Sequence, residues 1–185
     1  MALKVRGRLL EAAFGRIAQV SGGREALMEL LPEATRRRVE PIWIATAWYD
    51  AEIFFDVMAA SARMQGIDPV DFIRRSSERA AEHDIQGIYR QTLRPKSPTD
   101  MAERLPRVFH RYYDTPLRVL GLEERSLRVD FGDVPAHRAE MFQALNEGFM
   151  GAALRIAGAQ DVRFRWTQHP ATSGCVACDG HVTWA

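Results

Sequence analysis

The hydrophobic pattern of the chain changes its period near Asp114. Before this point, apolar residues recur at three- and four-residue steps, for example at Ile44, Trp48, Ala51, Phe55 and Met58. This spacing places them on one face of a helix and predicts a long helix over 42–64. After Asp114, apolar and polar residues alternate, as in the stretch Leu127–Phe131, which is typical of a strand with one buried face. The chain therefore combines a helical part with a part that forms a sheet.

Local signals divide the helical part further. Asp68 is a suitable N-cap and Pro69 a suitable first residue for a second helix. Thr99 or Asp100 is predicted to cap a third helix. In the second part, a long helix from about Ala136 to Ala157 is predicted to end at a glycine, residue 158.

Two hairpins flank this last helix, one before it and one at the end of the chain. Strands grouped in this way pair antiparallel, and helices cover one face of the sheet. The predicted fold class is therefore α+β, with several helices packed on an antiparallel sheet of about four strands. With 185 residues, the chain is expected to form one domain over 1–185, helical over 1–114 and hairpin–helix–hairpin over 115–185.

The composition and the absence of known motifs argue against several classes of function. The formal net charge is +1 and basic residues are spread along the chain, which argues against nucleic acid as a partner. No stretch approaches the roughly 18 apolar residues of a membrane span, and no secretory signal is visible, so we expect a cytoplasmic protein. No Ser/His/Asp ordering, carboxylate pair or phosphate-binding loop stands out. We therefore expect that the protein is not an enzyme.

The end of the chain has the strongest chemical pattern. Two cysteines stand three apart, and two histidines flank them, giving a candidate zinc set of His169, Cys175, Cys178 and His181. A redox pair is an alternative, although such motifs usually lie at a strand-to-helix junction. We favour a simple hairpin with one buried and one exposed cysteine, because four ligands from one short hairpin make a cramped site.

Aromatic residues on the helices form the second candidate site. An apolar pocket over the sheet could be lined by Trp48, Phe55, Tyr89, Phe109, Tyr112, Phe142 and Phe149. Such a pocket would accept a small hydrophobic ligand. The alternative is that these side chains simply fill the core, as aromatic stripes at helical spacing usually do.

Several motifs carry a family resemblance that extends from about Val5 to Trp184. They are "GIYRQTL", "LPRVFHRYYDTP", "GFMGAALRIAGAQDVRFRW" and the closing Cys178-x5-Trp184. Together they resemble a paralogous family of stand-alone proteins of unknown function, expanded in myxobacteria, which is similar to 4-vinyl reductase-type small-molecule-binding domains. The resemblance implies the fold of the haem nitric-oxide-binding sensors and TRAPP subunits, frequent dimerisation, and a sensing or adaptor role.

Two departures from these relatives bear on cofactors. The vinyl reductase-type domains carry an earlier cysteine where this chain has Ala171, and Cys175 falls where an acidic residue is usual, which weakens the zinc site. The related gas sensors hold haem iron through a helix histidine, for which His110 is the counterpart. They also carry a Tyr-x-Ser-x-Arg motif, which does not follow His110. We therefore expect no cofactor, with zinc as an alternative and haem not expected.

The sequence thus predicts a non-enzymatic module that binds a small molecule or senses one, acts as a homodimer and signals to a protein partner that the sequence does not identify. The alternative is a scaffold or protein-interaction module with a filled core and no ligand.

Overall fold

The computed structural model of the chain describes residues 3–17, 23–39, 42–87 and 95–185. Its α-helices are α1 (Gly7–Ile17), α2 (Gly23–Leu30), α3 (Glu33–Arg36), α4 (Ala51–Met64), α5 (Pro69–Gln86), α6 (Pro98–Phe109) and α7 (Ala139–Ile156), with a 3₁₀ turn at Ala136–Arg138. Its strands are β1 (Lys4–Arg6), β2 (Trp48–Asp50), β3 (Arg118–Glu123), β4 (Ser126–Pro135), β5 (Arg163–Pro170) and β6 (Cys175–Thr183).

The main sheet has four antiparallel strands in the order β3-β4-β6-β5. Its inner face is apolar because β4 and β6 alternate, burying Leu127, Val129, Cys178 and Val182. The predicted α+β class and the four-stranded sheet are confirmed. Gly158 follows α7 with φ +100°, the left-handed conformation expected of a residue that ends a helix.

The predicted helix over 42–64 is wrong in its first third. Residues 48–50 form β2, which pairs antiparallel with β1 in a separate two-stranded sheet, and α4 begins only at Ala51. Asp50 fixes this boundary, because its carboxylate accepts a hydrogen bond of 2.9 Å from the backbone N–H of Glu52.

The other helix starts depend on similar caps. Asp68 caps α5 as predicted, accepting from the N–H groups of Val70 and Asp71. For α6 the cap is Ser97, not Thr99 or Asp100, because Ser97 Oγ accepts from the Asp100 N–H at 3.1 Å. Pro98 then occupies the first helical position, where its missing N–H costs no hydrogen bond.

Helix α7 lies between the sheet and α5. On the sheet side, the rings of Phe142 and Phe131 meet edge to face with centroids 5.0 Å apart. On the other side Gly148 contacts α5 so closely that a Cβ built there would stand 2.2 Å from the carbonyl oxygen of Arg74. The buried residues form one hydrophobic cluster that extends from Leu3 to Trp184.

A partly buried ion cluster joins α4 to the start of α7. The guanidinium of Arg138 donates to Glu52 at 2.8 Å and also pairs with Asp56, whose second oxygen accepts from the hydroxyl of Thr35. These contacts satisfy a carboxylate, Asp56, that is only 8% exposed. Hydrogen-bonded pairing of this kind is what makes a buried charge tolerable.

Candidate ligand-binding cavity

A small cavity lies where α1, α4, α5, α7 and the end of α6 meet. It is lined by Leu9, Phe54, Met58, Ser76, Ser77, Ala80, Asp84, Phe109, Tyr112, Tyr113, Leu145 and Phe149. The lining is mostly apolar, with a few polar groups contributed by α5 and by the residues after α6. This combination of an apolar wall and few polar groups is typical of small-molecule sites.

Helix α5 contributes the polar side of the cavity because of its spacing. Ser76, Ala80 and Asp84 stand four residues apart, so they form one stripe along the helix. Small side chains at 76, 77 and 80 leave space where larger ones would close the gap. The hydroxyl of Ser77 is already engaged, since it donates to the carbonyl oxygen of Leu145 on α7 at 2.7 Å.

Three aromatic rings form the opposite wall. Phe149 of α7 meets Phe109 edge to face with centroids 5.4 Å apart, and it meets Tyr112 with centroids 6.0 Å apart. Both partners lie at the end of α6, where the helix gives way to a turn. The geometry fixes the rings against one another and gives the cavity a rigid apolar side.

Two polar groups of the cavity, those of Tyr112 and Asp84, are joined by a hydrogen bond. The hydroxyl of Tyr112 donates to the carboxylate of Asp84, so α5 is tied to the end of α6 across the cavity. Burial raises the pKa of the Tyr113 phenol far above its ordinary value, so this side chain stays neutral. The cavity therefore presents one carboxylate and neutral hydroxyls.

The volume of the cavity is about 40 Å³. Sites for drug-sized ligands start at about 300 Å³, so in this conformation the cavity has room for a diatomic gas or a few water molecules but not for a drug-sized ligand. A larger ligand requires α5 and α7, or the end of α6, to move apart.

The structure brings together three of the predicted pocket residues, Phe109, Tyr112 and Phe149. Phe55 and Phe142 do not line the cavity, because both are fully buried in the packed core. Trp48 lies on β2, where the guanidinium of Arg6 stacks 3.8 Å above its ring. Tyr89, the remaining member of the predicted set, lies outside the described residues.

The α5 side of this cavity was not predicted from the sequence. Ser76, Ala80 and Asp84 belong to a helix that carries several charged residues, and they carry no motif. The available signal was the four-residue stripe of small and polar side chains facing the aromatic residues of neighbouring helices. Met58 was recognised as part of the inner stripe of α4 but was not placed in the predicted pocket.

The terminal cysteines and histidines do not converge. Cys178 points into the core and His181 to the outer face, because residues three apart in a strand lie on opposite faces. His169 lies 3.3 Å from the carboxylate of Asp179, and the side chain of Cys175 is partly exposed. Within the described residues, no group of three or more His, Cys, Asp or Glu side chains is placed to hold a metal ion.

The two thiols are expected to differ in reactivity. Burial raises the pKa of the Cys178 thiol, and this effect outweighs the hydrogen bond donated by Gln143 at 3.7 Å, which lowers it. A smaller fraction of Cys178 than of an ordinary cysteine is therefore thiolate at pH 8. We predict that Cys178 in the Cys175→Ser variant is alkylated about tenfold more slowly, or slower still, than Cys175 in the Cys178→Ser variant. Mass spectrometry of the native protein at pH 8 measures both rates, with the unfolded chain as the control. Equal rates in the native state would contradict the placement of Cys178.

No family model matches the chain, and no curated protein matches its sequence. The chain has the fold of the haem-NO-binding (H-NOX) domain, as comparison with solved structures shows. The Fe(II) unliganded H-NOX protein from K. algicida aligns over 97% of this chain and 96% of its own, with a TM-score of 0.67 and 9% identity. An H-NOX protein from S. oneidensis in the Fe(II)NO state aligns over 97% and 99%, with a TM-score of 0.65 and 10% identity. An oxygen-binding H-NOX domain related to soluble guanylate cyclases aligns over 97% of this chain and 94% of its own, with a TM-score of 0.64 and 8% identity.

The expectation that haem is not a cofactor is contradicted by these comparisons. Two of the solved structures that share the fold come from studies of heme, one on heme distortion in the H-NOX family and one on heme redox potential. Haem is therefore the cofactor to which these structural neighbours point. One motif around His110 was not a sufficient guide to haem, because the fold is shared at only 7–10% identity.

The histidines of this chain do not line the cavity. His110 is the exposed C-cap of α6, and the other histidines, at 83, 137, 169 and 181, are exposed as well. The cavity instead offers a thioether at Met58 and phenols at Tyr112 and Tyr113, both of which are ligand types found on haem iron. The cavity is too small for a porphyrin and has no histidine in its lining. We therefore derive no chemical step through a haem.

No helix in the described ranges is long and apolar enough to cross a membrane.

Proposed function

We propose that this chain is a small-molecule-binding sensor domain and that its ligand site is the cavity between α4, α5, α7 and the end of α6. The observation that carries the proposal is the convergence there of five aromatic side chains and one carboxylate, Asp84, in a fold shared with gas-binding and haem-binding proteins. The domain acts by binding, without catalysis, and a homodimer passes the ligand state to a protein partner. The motifs quoted above support kinship with the myxobacterial family and the vinyl reductase-type domains.

Haem is the first ligand to test, since the neighbours carry it. Two classes of ligand suit this cavity. A diatomic gas or similar small apolar molecule fits its present volume, and a larger apolar ligand such as haem fits after the helices separate.

The test is a titration of the purified protein with hemin, followed by the Soret absorbance. Ala80→Phe places a ring in the cavity and is expected to weaken hemin binding about tenfold or more, because it removes the space between α5 and Phe149. The matched control is Ala34→Phe, an exposed alanine on α3, which is expected to bind as the wild type does. Thermal unfolding by circular dichroism shows that both variants are folded.

Equal affinity of Ala80→Phe and Ala34→Phe would place hemin outside the cavity and contradict the proposed site. If neither hemin nor a gas binds, the second candidate, a scaffold with a filled core, gains support. The small volume of the cavity is the observation that favours this second candidate.

A further inference from the structure

The outer face of the main sheet carries a row of basic side chains. Arg128 of β4 pairs in register with His181 of β6, which pairs in register with Arg165 of β5. Neighbouring strands are about 4.8 Å apart, so these three side chains span about 10 Å across the sheet. Arg163 stands two residues from Arg165 on the same face, and all four side chains are exposed.

No carboxylate in the described part of the chain lies within ion-pair distance of the three arginines. Some other arginines are paired, as Arg118 is with Asp130 on this same face and Arg155 is with Glu78. Unpaired arginines gathered in one place produce a positive potential that attracts an anionic partner. Arginine is also a residue type enriched at protein interfaces.

The row borders two depressions in the sheet surface. One, of about 230 Å³, is lined by Arg163, Arg165, His181 and Thr183. The other, of about 300 Å³, extends from Arg165 to Arg128 and Leu120. Leu120 of β3 is 54% exposed, so this second depression combines positive charge with an apolar wall.

The carboxylate of Asp179 favours an acidic protein segment over a nucleic acid as the partner of this face. It lines the second depression, in the row next to His181, and would repel a continuous phosphate backbone laid across the sheet. A protein segment avoids this repulsion, because it can place separate carboxylates opposite the arginines and an apolar side chain against Leu120. Extended chain also matches the spacing of β5, since alternate residues of a strand face the same side, as Arg163 and Arg165 do.

We propose that this outer face, defined by Arg128, Arg163, Arg165 and His181, is a docking surface for an acidic segment of a partner protein. The surface lies on the opposite side of the sheet from α7, and it does not depend on whether the cavity binds a ligand. Such a surface would give a sensor domain a place to contact the protein that it regulates.

Binding of a labelled peptide tests this proposal by fluorescence anisotropy. The probe is a synthetic peptide of alternating glutamate and valine, the neutral control replaces each glutamate by glutamine, and the competitor is a single-stranded DNA of equal charge. We expect the wild type to bind the acidic peptide about tenfold or more tightly than the neutral one, with affinity falling as salt is raised.

The variant that tests the surface is Arg163→Glu with Arg165→Glu, which is expected to reduce acidic-peptide affinity about tenfold or more. Its matched control is Arg75→Glu with Arg79→Glu, two exposed arginines of α5 with the same change in charge, expected to stay within about twofold of the wild type. Arg165→Gln provides a milder variant if the double reversal unfolds the protein. Equal loss in both double variants, no preference for the acidic peptide, or tighter binding of the DNA would each overturn the proposal.

Discussion

Phe142→Ala is expected to lower the free energy of unfolding by about 4 kcal/mol, the middle of the range for a fully buried phenylalanine. Phe142 is 0% exposed and meets both Phe131 and Tyr113 edge to face, with centroids 5.0 and 6.0 Å away. Its removal leaves a cavity between α7 and the sheet that these rings cannot fill. Chemical denaturation followed by circular dichroism measures the loss.

Phe149→Ala is the control for this experiment. Phe149 lies two turns further along α7 and lines the candidate cavity, but it is only partly buried. Its removal should therefore cost less, about 2 kcal/mol, and should change ligand binding. If the two variants lost equal stability, the distinction between core and cavity that the structure draws between these two residues would be wrong.

Gly148→Ala is expected to destabilise the fold by about 3 kcal/mol, although alanine favours helices more than glycine does. The added Cβ would stand 2.2 Å from the carbonyl oxygen of Arg74 and 3.0 Å from the N–H nitrogen of Glu78. Both atoms belong to the backbone of α5, so they cannot rotate away and the two helices must separate.

Gly151→Ala, three residues further along α7, provides the matched comparison. Its Cβ would meet the flexible end of the Arg155 side chain at 3.2 Å and the ring of Phe164 at 3.6 Å. We expect this variant to be as stable as the wild type or up to about 1 kcal/mol more stable, because a helix glycine is replaced. Thermal and urea unfolding of both variants gives the comparison. A neutral Gly148→Ala would contradict the close contact of α5 with α7.

Local sequence signals predicted those parts of the fold that local interactions determine. Asp68 and Pro69 marked the start of α5, and Gly158 marked the end of α7, because caps act within a few residues of their position. The alternation in Leu127–Phe131 identified the buried face of β4 for the same reason. These predictions needed no knowledge of the rest of the chain.

Features that depend on distant partners were not predictable in this way. Trp48 fits the inner stripe of a helix, yet it lies in a three-residue strand that exists because it pairs with Arg6, far away in the sequence. The zinc set failed for a related reason, since the spacing of Cys178 and His181 suits a loop but separates them in a strand. The cavity depends on how α5 meets the end of α6, and the Asp84–Tyr112 hydrogen bond could not be read from either segment alone.

The central claim is that the cavity holds a small molecule, and native mass spectrometry of the protein as purified tests it most directly. Expression with added haem precursor, followed by measurement of the intact mass, reports any bound haem or other organic ligand per chain. We predict one larger ligand per wild-type chain, bound with the helices around the cavity moved apart, absent from Ala80→Phe and retained by Ala34→Phe. A bare mass for the wild type, or an equal ligand load in all three proteins, would contradict the account.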